Sequence, residues 1–178
     1  MRPAIALTLL ATAVFLSHPS TASAACAPSL VSVTYFVGQA LSGSPADESC
    51  RPLGNGTVQI SDDWGLGGPR LCVRDCPGKA DDPSKSPPPP VYQNYTDNFS
   101  VRYQISPTFQ NGVYIFTVNS DDGVRLRIDG QLAIDDWSIH AARVQTVERF
   151  LTAGPHQIVV EYFEAAERAM VQVGWRLR

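Results

Sequence analysis

The sequence predicts an all-β protein, an antiparallel β-sandwich or barrel. Three observations carry that expectation. From Phe99 to the C-terminus apolar and polar residues alternate with period two, as half-buried strands require. Gly, Asp and Asn interrupt the alternating stretches at short intervals, where chain reversals would fall. No stretch of helical period is long enough to compete with the strands.

Taken in order, residues 1–24 read as a secretory signal peptide. Arg2 supplies a positive start, Ala4 to Leu16 is an apolar run, and Ala22-Ser23-Ala24 suits a small-residue cleavage site. The run is too short to span a bilayer about 30 Å thick, so no transmembrane segment is expected. Residues 25–178 then form a single domain, long enough for one buried core. A formal net charge of -3 over 178 residues provides no basic groove for nucleic acid and no attraction to a membrane surface. The expected location is secreted or extracellular, the periplasm and the cell surface included.

Export gives the cysteines a role. Cys26, Cys50, Cys72 and Cys76 are even in number and would meet an oxidising compartment, so two disulfides are expected. Four cysteines allow three pairings, and spacing does not choose among them. Between about residues 69 and 94 lies a Cys- and Pro-rich segment that ends in the run Pro87 to Pro90. Proline has no N–H to give a ladder, so the segment reads as a long exposed loop, stiffened by its prolines and pinned at one end by its cysteines.

The second half follows strand grammar. Val124, Leu126 and Ile128 alternate with Arg125 and Arg127, and Asp129-Gly130 makes a tight hairpin turn into Leu132 and Ile134. One short helical turn is expected at Ser138 to Ala142. Ile158, Val160 and Tyr162 alternate again, and Ala169, Val171, Val173, Trp175 and Leu177 alternate with Met170, Gln172, Gly174, Arg176 and Arg178.

The most informative run is Ser120-Asp121-Asp122-Gly123, expected at the end of a β-hairpin. Successive side chains on extended backbone point to opposite faces. Two adjacent carboxylates therefore reach one cation only through a sharp turn or an unusual peptide bond. The pair is either a calcium clamp or a polar turn whose carboxylates accept backbone N–H groups. At Asp135-Asp136 the neighbouring Trp137 is expected to pack against the sheet edge while the two aspartates solvate the turn.

Gly112-Val113-Tyr114-Ile115-Phe116, Ser120-Asp121-Asp122-Gly123, Ile128-Asp129-Gly130 and Asp136-Trp137 follow one another as in the protective-antigen (PA-fourteen) domain family, which this chain resembles. Ala153-Gly154-Pro155-His156, Glu161-Tyr162-Phe163 and Trp175 continue the likeness. Tyr35-Phe36, Leu41-Ser42-Gly43, Ile60 with Asp63-Trp64-Gly65, and Phe99 to Tyr103 extend it more loosely, to about Val31 to Leu177 in all. The family occurs in anthrax protective antigen, in yeast flocculin adhesins and as an accessory domain of glycosidases.

The resemblance implies a twisted antiparallel sandwich with, in sugar-binding members, calcium at its tip. There the paired aspartates are joined by a cis peptide and ligate one ion, while an adjacent loop adds carbonyls and an Asn or Asp side chain. Carried over, Asp121 and Asp122 are ligands and Gly123 permits the tight backbone beside them. The second loop would be Glu164-Ala165-Ala166-Glu167-Arg168, which has no Asn or Asp, so Glu167 or Glu164 would have to reach in. The implied metal set is Asp121, Asp122 and Glu167, and Gly123, Glu164 and Arg168 join them around the ligand. Tyr92 or Tyr95 would supply a stacking aromatic.

Calcium suits the role because it accepts six to eight oxygen ligands in loose geometry, leaving room for two sugar hydroxyls. The implied function is a secreted, lectin-like module that binds a glycan or cell-surface carbohydrate through calcium. The alternative is a non-catalytic structural or protein-interaction module. No enzyme is expected: there is no Gly-x-Ser-x-Gly elbow, no His-Glu-x-x-His and no phosphate loop. Asp121 or Asp122 with Glu161 or Glu164 is the nearest approach to a glycosidase pair.

Overall fold

The computed structural model describes residues 26–74 and 91–178, and of residues 72–74 and 91–92 the backbone alone. The expected signal peptide, Cys76 and the Pro87 to Pro90 run lie outside the described residues, as does the Tyr92 side chain.

The chain runs through β1 (Leu30–Val37), β2 (Asp47–Pro52), β3 (Ile60–Gly65), β4 (Arg70–Arg74) and β5 (Val91–Asn94). There follow β6 (Phe99–Ile105), β7 (Thr108–Phe109), β8 (Gly112–Asp121), β9 (Val124–Ile128) and β10 (Gln131–Asp136). The last are β11 (Arg143–Leu151), β12 (Gly154–Pro155), β13 (Ile158–Glu164) and β14 (Ala169–Leu177). Among the described residues there is no helix, and none long and apolar enough to cross a membrane.

Six strands form one sheet in the order β10-β9-β13-β6-β1-β2, and four form a second in the order β11-β8-β14-β3. Every pairing is antiparallel, so the all-β sandwich read from the sequence is the fold that forms. Alternation decides what faces inward. Val33 of β1, Val101 and Tyr103 of β6 and Val160 of β13 meet Phe116 and Val118 of β8 and Val171 and Val173 of β14, all fully buried. Each such side chain stabilises the sandwich by about 1.5–3 kcal/mol. One charged link crosses the same space: Tyr103 donates to Asp62 Oδ2 at 2.6 Å, and Arg51 grips both oxygens of Asp62.

The Asp129-Gly130 turn forms as expected, with φ of 50° and 76° at its two residues, the left-handed pair that suits a two-residue hairpin. Three local expectations are corrected. The 69–94 segment is not an open loop throughout, because its ends zip into an antiparallel β4-β5 pair. Leu71, buried to 2%, gives that pair an anchor that the prolines further along did not suggest.

At Ser138 to Ala142 the chain bends without a helical turn. Its N–H groups at His140 and Ala142 are committed to carboxylates and not to carbonyls one turn back. Finally, Asp121 and Asp122 do not close a hairpin. β8 pairs with β11 and β14, whereas β9 pairs with β10 and β13, so the run Ser120 to Gly123 carries the chain from one sheet to the other.

Of the three cysteine pairings left open, the described residues hold Cys26–Cys50, with Cα atoms 5.6 Å apart. It ties the start of the described chain to β2.

Candidate functional site

Three connections pass between the sheets at one end of the sandwich: β8 to β9 through residues 122–123, β10 to β11 through 137–142, and β13 to β14 through 165–168. Crossovers leave backbone N–H groups without ladder partners, and buried N–H groups must find acceptors. Here Asp121 and Asp122 are the acceptors. Asp121 Oδ2 receives the Ala142 N–H at 3.0 Å. Asp122 Oδ1 receives that of His140 at 2.8 Å, and Asp122 Oδ2 that of Ala165 at 2.9 Å. Two carboxylates therefore fasten three crossovers.

The peptide joining Asp121 to Asp122 is cis, as the family resemblance implies. Gly123 serves a different need from the one expected. A Cβ there would sit 2.1 Å from the Phe163 ring, so glycine is required because an aromatic lies against it. Phe163 in turn meets Trp137 edge-on at 4.8 Å, and Arg125 stacks 4.4 Å over Trp137, which packs as expected. Asp135 and Asp136 are ion-paired with Arg125 and Arg143 and do more than solvate a turn.

Glu164, the last residue of β13, is fully buried beside this corner. Tyr162 donates to its Oε2 at 2.7 Å, and among the described residues Oε1 has no hydrogen-bond partner. Burial pushes its carboxyl up to about 7, and the charges of Asp122, Asp121 and Asp97 push the same way against the Tyr162 hydrogen bond. Asp121 is raised too, by burial first and by Asp122 beside it, while the Ala142 N–H works against the rise. The electrostatic signature is a group of carboxylates short of positive charge.

The remaining expected residues divide. Glu167 takes a left-handed backbone, φ 78°, and donates its N–H to Asp97 Oδ1 at 3.2 Å, with the residue exposed. Arg168 pairs with Asp63 at 2.7 Å on the surface and is near enough to act on the Asp121 charge. Glu161 is turned away and paired with Arg102 at 2.9 Å, which leaves it no part in a carboxylate pair with Asp121 or Asp122. The His140 ring stands 3.3 Å from Asp136, so this residue serves the corner through its backbone.

Two contributors were not foreseen. Asp97 lies on the β5–β6 connection, where no motif marks it. Tyr162 reads in sequence as one more alternating core residue, yet its hydroxyl touches Glu164, the Asp121 carbonyl and the Met170 N–H together. Trp64 stacks on its ring at 5.9 Å. Among the described residues no three His, Cys, Asp or Glu side chains are grouped as a ready-made metal cluster.

Comparison with known proteins agrees with this architecture. A curated relative, the anti-sigma-I factor RsgI3 of Acetivibrio thermocellus, is 34% identical over 82 residues, 44% of this chain and 13% of that protein. An anti-sigma factor domain-containing protein from Clostridium clariflavum superposes with a TM-score of 0.57 at 25% identity, over 85% of this chain and 43% of its own. The epithelial adhesin 9 A domain of Candida glabrata, solved with Galb1-4GlcNAc, gives a TM-score of 0.51 at 14% identity, over 83% of this chain and 81% of its own. That last likeness is one of fold alone. The chain spans about an eighth of the curated relative and under half of the anti-sigma structure. The family model for the PA14 domain matches residues 61–178, and the chain belongs to that family.

Proposed function

We propose that this chain is a secreted, non-catalytic carbohydrate-binding module in which calcium, held at the Asp121–Asp122 corner, takes up hydroxyls of a glycan. The observation that supports the reading is Glu164 Oε1, buried with no hydrogen-bond partner among the described residues and close to the charges of Asp122, Asp121 and Asp97. A buried acceptor left unpaired costs about 1–3 kcal/mol, and like charges beside it add to that. A divalent cation relieves both at once.

The donor chemistry fits calcium. Every side-chain donor at the corner is an oxygen, and among the described residues Asp121 Oδ1 accepts no hydrogen bond. Calcium completes its shell with backbone carbonyls and water, so it does not need three side chains grouped in advance. Asp121, Asp122 and Glu164 would hold the ion in this reading, Glu164 in preference to the exposed Glu167. The bound ion supplies coordination positions that two neighbouring sugar hydroxyls take from water. Membership of a family with sugar-binding members, and a fold shared with an adhesin domain solved with Galb1-4GlcNAc, point the same way.

Calorimetric titration of calcium into the metal-stripped protein, with thermal melting alongside, tests the proposal. Binding heat and a raised melting temperature are expected; neither appearing at millimolar calcium would overturn it. A glycan array read with calcium and with chelator then tests the sugar, since signal indifferent to chelator contradicts a diol on calcium.

One observation favours a second reading, a structural or protein-interaction module. Three of the four carboxylate oxygens of Asp121 and Asp122 already accept backbone N–H groups, which is sufficient reason for an Asp pair at a crossover.

A further inference from the structure

The outer face of the four-stranded sheet is built differently from the rest of the surface. β8 turns Ile115, Thr117 and Asn119 outward because Tyr114, Phe116 and Val118 fill the core. In β14 the residues directly opposite are Arg176, Gly174 and Gln172, which therefore share that face. The connection from β2 to β3 runs over them. Gly174 admits it, since a Cβ there would lie 1.8 Å from the Thr57 carbonyl oxygen.

Gln59 fastens this connection to the sheet. Its side chain accepts the Trp175 N–H at 2.9 Å and donates to the Gly56 carbonyl at 2.7 Å and the Trp175 carbonyl at 3.3 Å. Its own N–H goes to the Val173 carbonyl at 2.9 Å. A pocket of about 280 Å³ remains between connection and sheet, just below the roughly 300–1,000 Å³ of ordinary ligand sites and of a size for one ring.

We propose that this pocket is a second saccharide subsite and that it takes a sugar bearing a carboxylate, a uronate. Asn119 has no hydrogen-bond partner among the described residues, and Gln172 has one long contact, 3.4 Å to Ser61 Oγ. Two facing amides offer donors and acceptors together, the combination that vicinal hydroxyls need. Ile115 and Val58, the latter 41% exposed, give apolar surface for the C–H face of a ring.

Arg176 decides the class. It is the charged residue lining the pocket and has no ion-pair partner among the described residues, whereas Arg178 is already taken by Glu148 at 3.1 Å. A free guanidinium at a pocket rim matches a carboxylate bidentately. Asp121 lies two residues beyond Asn119 on β8, about 7 Å along the strand, so a short acidic oligosaccharide spans pocket and corner together.

The saccharide class rests on the function proposed above; the pocket itself needs no metal. The test is a nuclear magnetic resonance titration of the isotope-labelled chain with glucuronate and with glucose, both in chelator. Shifts at the Asn119 and Gln172 side-chain amides and at the backbone of residues 56–58 are expected with glucuronate, with markedly weaker response to glucose. Arg176→Gln should weaken glucuronate about tenfold and leave glucose unchanged.

Absence of shifts at those amides with either sugar overturns the subsite, and equal response to the two overturns the uronate assignment. Shifts that appear only when the titration is repeated with calcium in place of chelator also overturn it, because they place the sugar at the corner. If calcium fails to bind while the pocket still titrates, the calcium reading falls and this one stands.

Discussion

Tyr162 donates a hydrogen bond to Glu164 across 2.7 Å, and the same hydroxyl lies against the Asp121 carbonyl and accepts the Met170 N–H. A phenol has one proton for two acceptors. That proton lies between the Asp121 carbonyl and Glu164 Oε2, and its bond to Glu164 favours the ionised carboxylate. Burial, with the charges of Asp122, Asp121 and Asp97, makes the carboxyl hold its proton against that hydrogen bond.

The sign of the pH effect follows. Glu164 moves from an ordinary value of 4.5 to about 7 on folding, so between these the folded chain holds a proton that the unfolded chain releases. Metal-free protein is expected to lose stability as pH rises from about 4.5 to 7, with a slope of up to about 1.4 kcal/mol per unit from this group. Urea unfolding at a series of pH values measures it. Glu164→Gln should flatten the profile, and an unchanged profile in that variant would contradict the assignment.

Asp121 and Asp122 differ in burden, and their variants should differ too. Asp122 is buried and accepts two N–H groups from separate crossovers, whereas Asp121 is partly exposed and accepts one. An amide in place of Asp122 turns its NH2 toward an N–H donor. Asp122→Asn should therefore cost about 1–3 kcal/mol in urea unfolding, and Asp121→Asn under about 1 kcal/mol. Both should abolish calcium binding by calorimetry. Equal destabilisation with calcium heat intact in both would favour the structural reading.

The fold was legible because half-buried strands leave a period-two trace, and the Asp129-Gly130 turn because few residues accept φ above zero twice. The Asp pair was legible as a motif. What faces it was not. Ala165, His140 and Ala142 contribute backbone N–H groups, which any residue carries, so their identities record nothing. The crossover was misread as a hairpin because alternation within β8 and within β9 is the same whether the two strands pair or part. β13 is buried along its whole length, so period two could not show that Glu164 faces the corner while Glu161 faces Arg102.

The Cys26–Cys50 bridge closes a sequence separation of 24 and joins residues preceding β1 to β2, which lies at the edge of the six-stranded sheet. Restricting a loop of that size in the unfolded chain stabilises by about 3 kcal/mol. Cys26→Ser is expected to lower the urea midpoint accordingly without changing calcium affinity, because the bridge contributes no atom to the corner. Peptide mapping of the non-reduced protein would show the pairing directly, and recovery of Cys26 joined to Cys72 or Cys76 would contradict it.

Asp62 links the sheets from the inside, and its neighbours show which variants separate charge from shape. Arg51 comes from β2, Tyr103 from β6 and Asp62 from β3, so the three join the edge and centre of one sheet to the edge of the other. Burial pushes the Tyr103 hydroxyl well above its ordinary value and the Asp62 charge adds to the rise, so the phenol stays protonated as a donor. Removing the acceptor strands a half-buried guanidinium and a fully buried hydroxyl. Asp62→Ala is expected to cost about 3–5 kcal/mol, the range for breaking one partner out of a buried pair. Tyr103→Phe removes one hydrogen bond and leaves the Arg51–Asp62 pair whole, so it should cost about 1 kcal/mol. Chemical denaturation of the two variants decides between a network and a chance contact: equal, small losses would mean that the charges are solvated and the sandwich is held by its apolar layers alone.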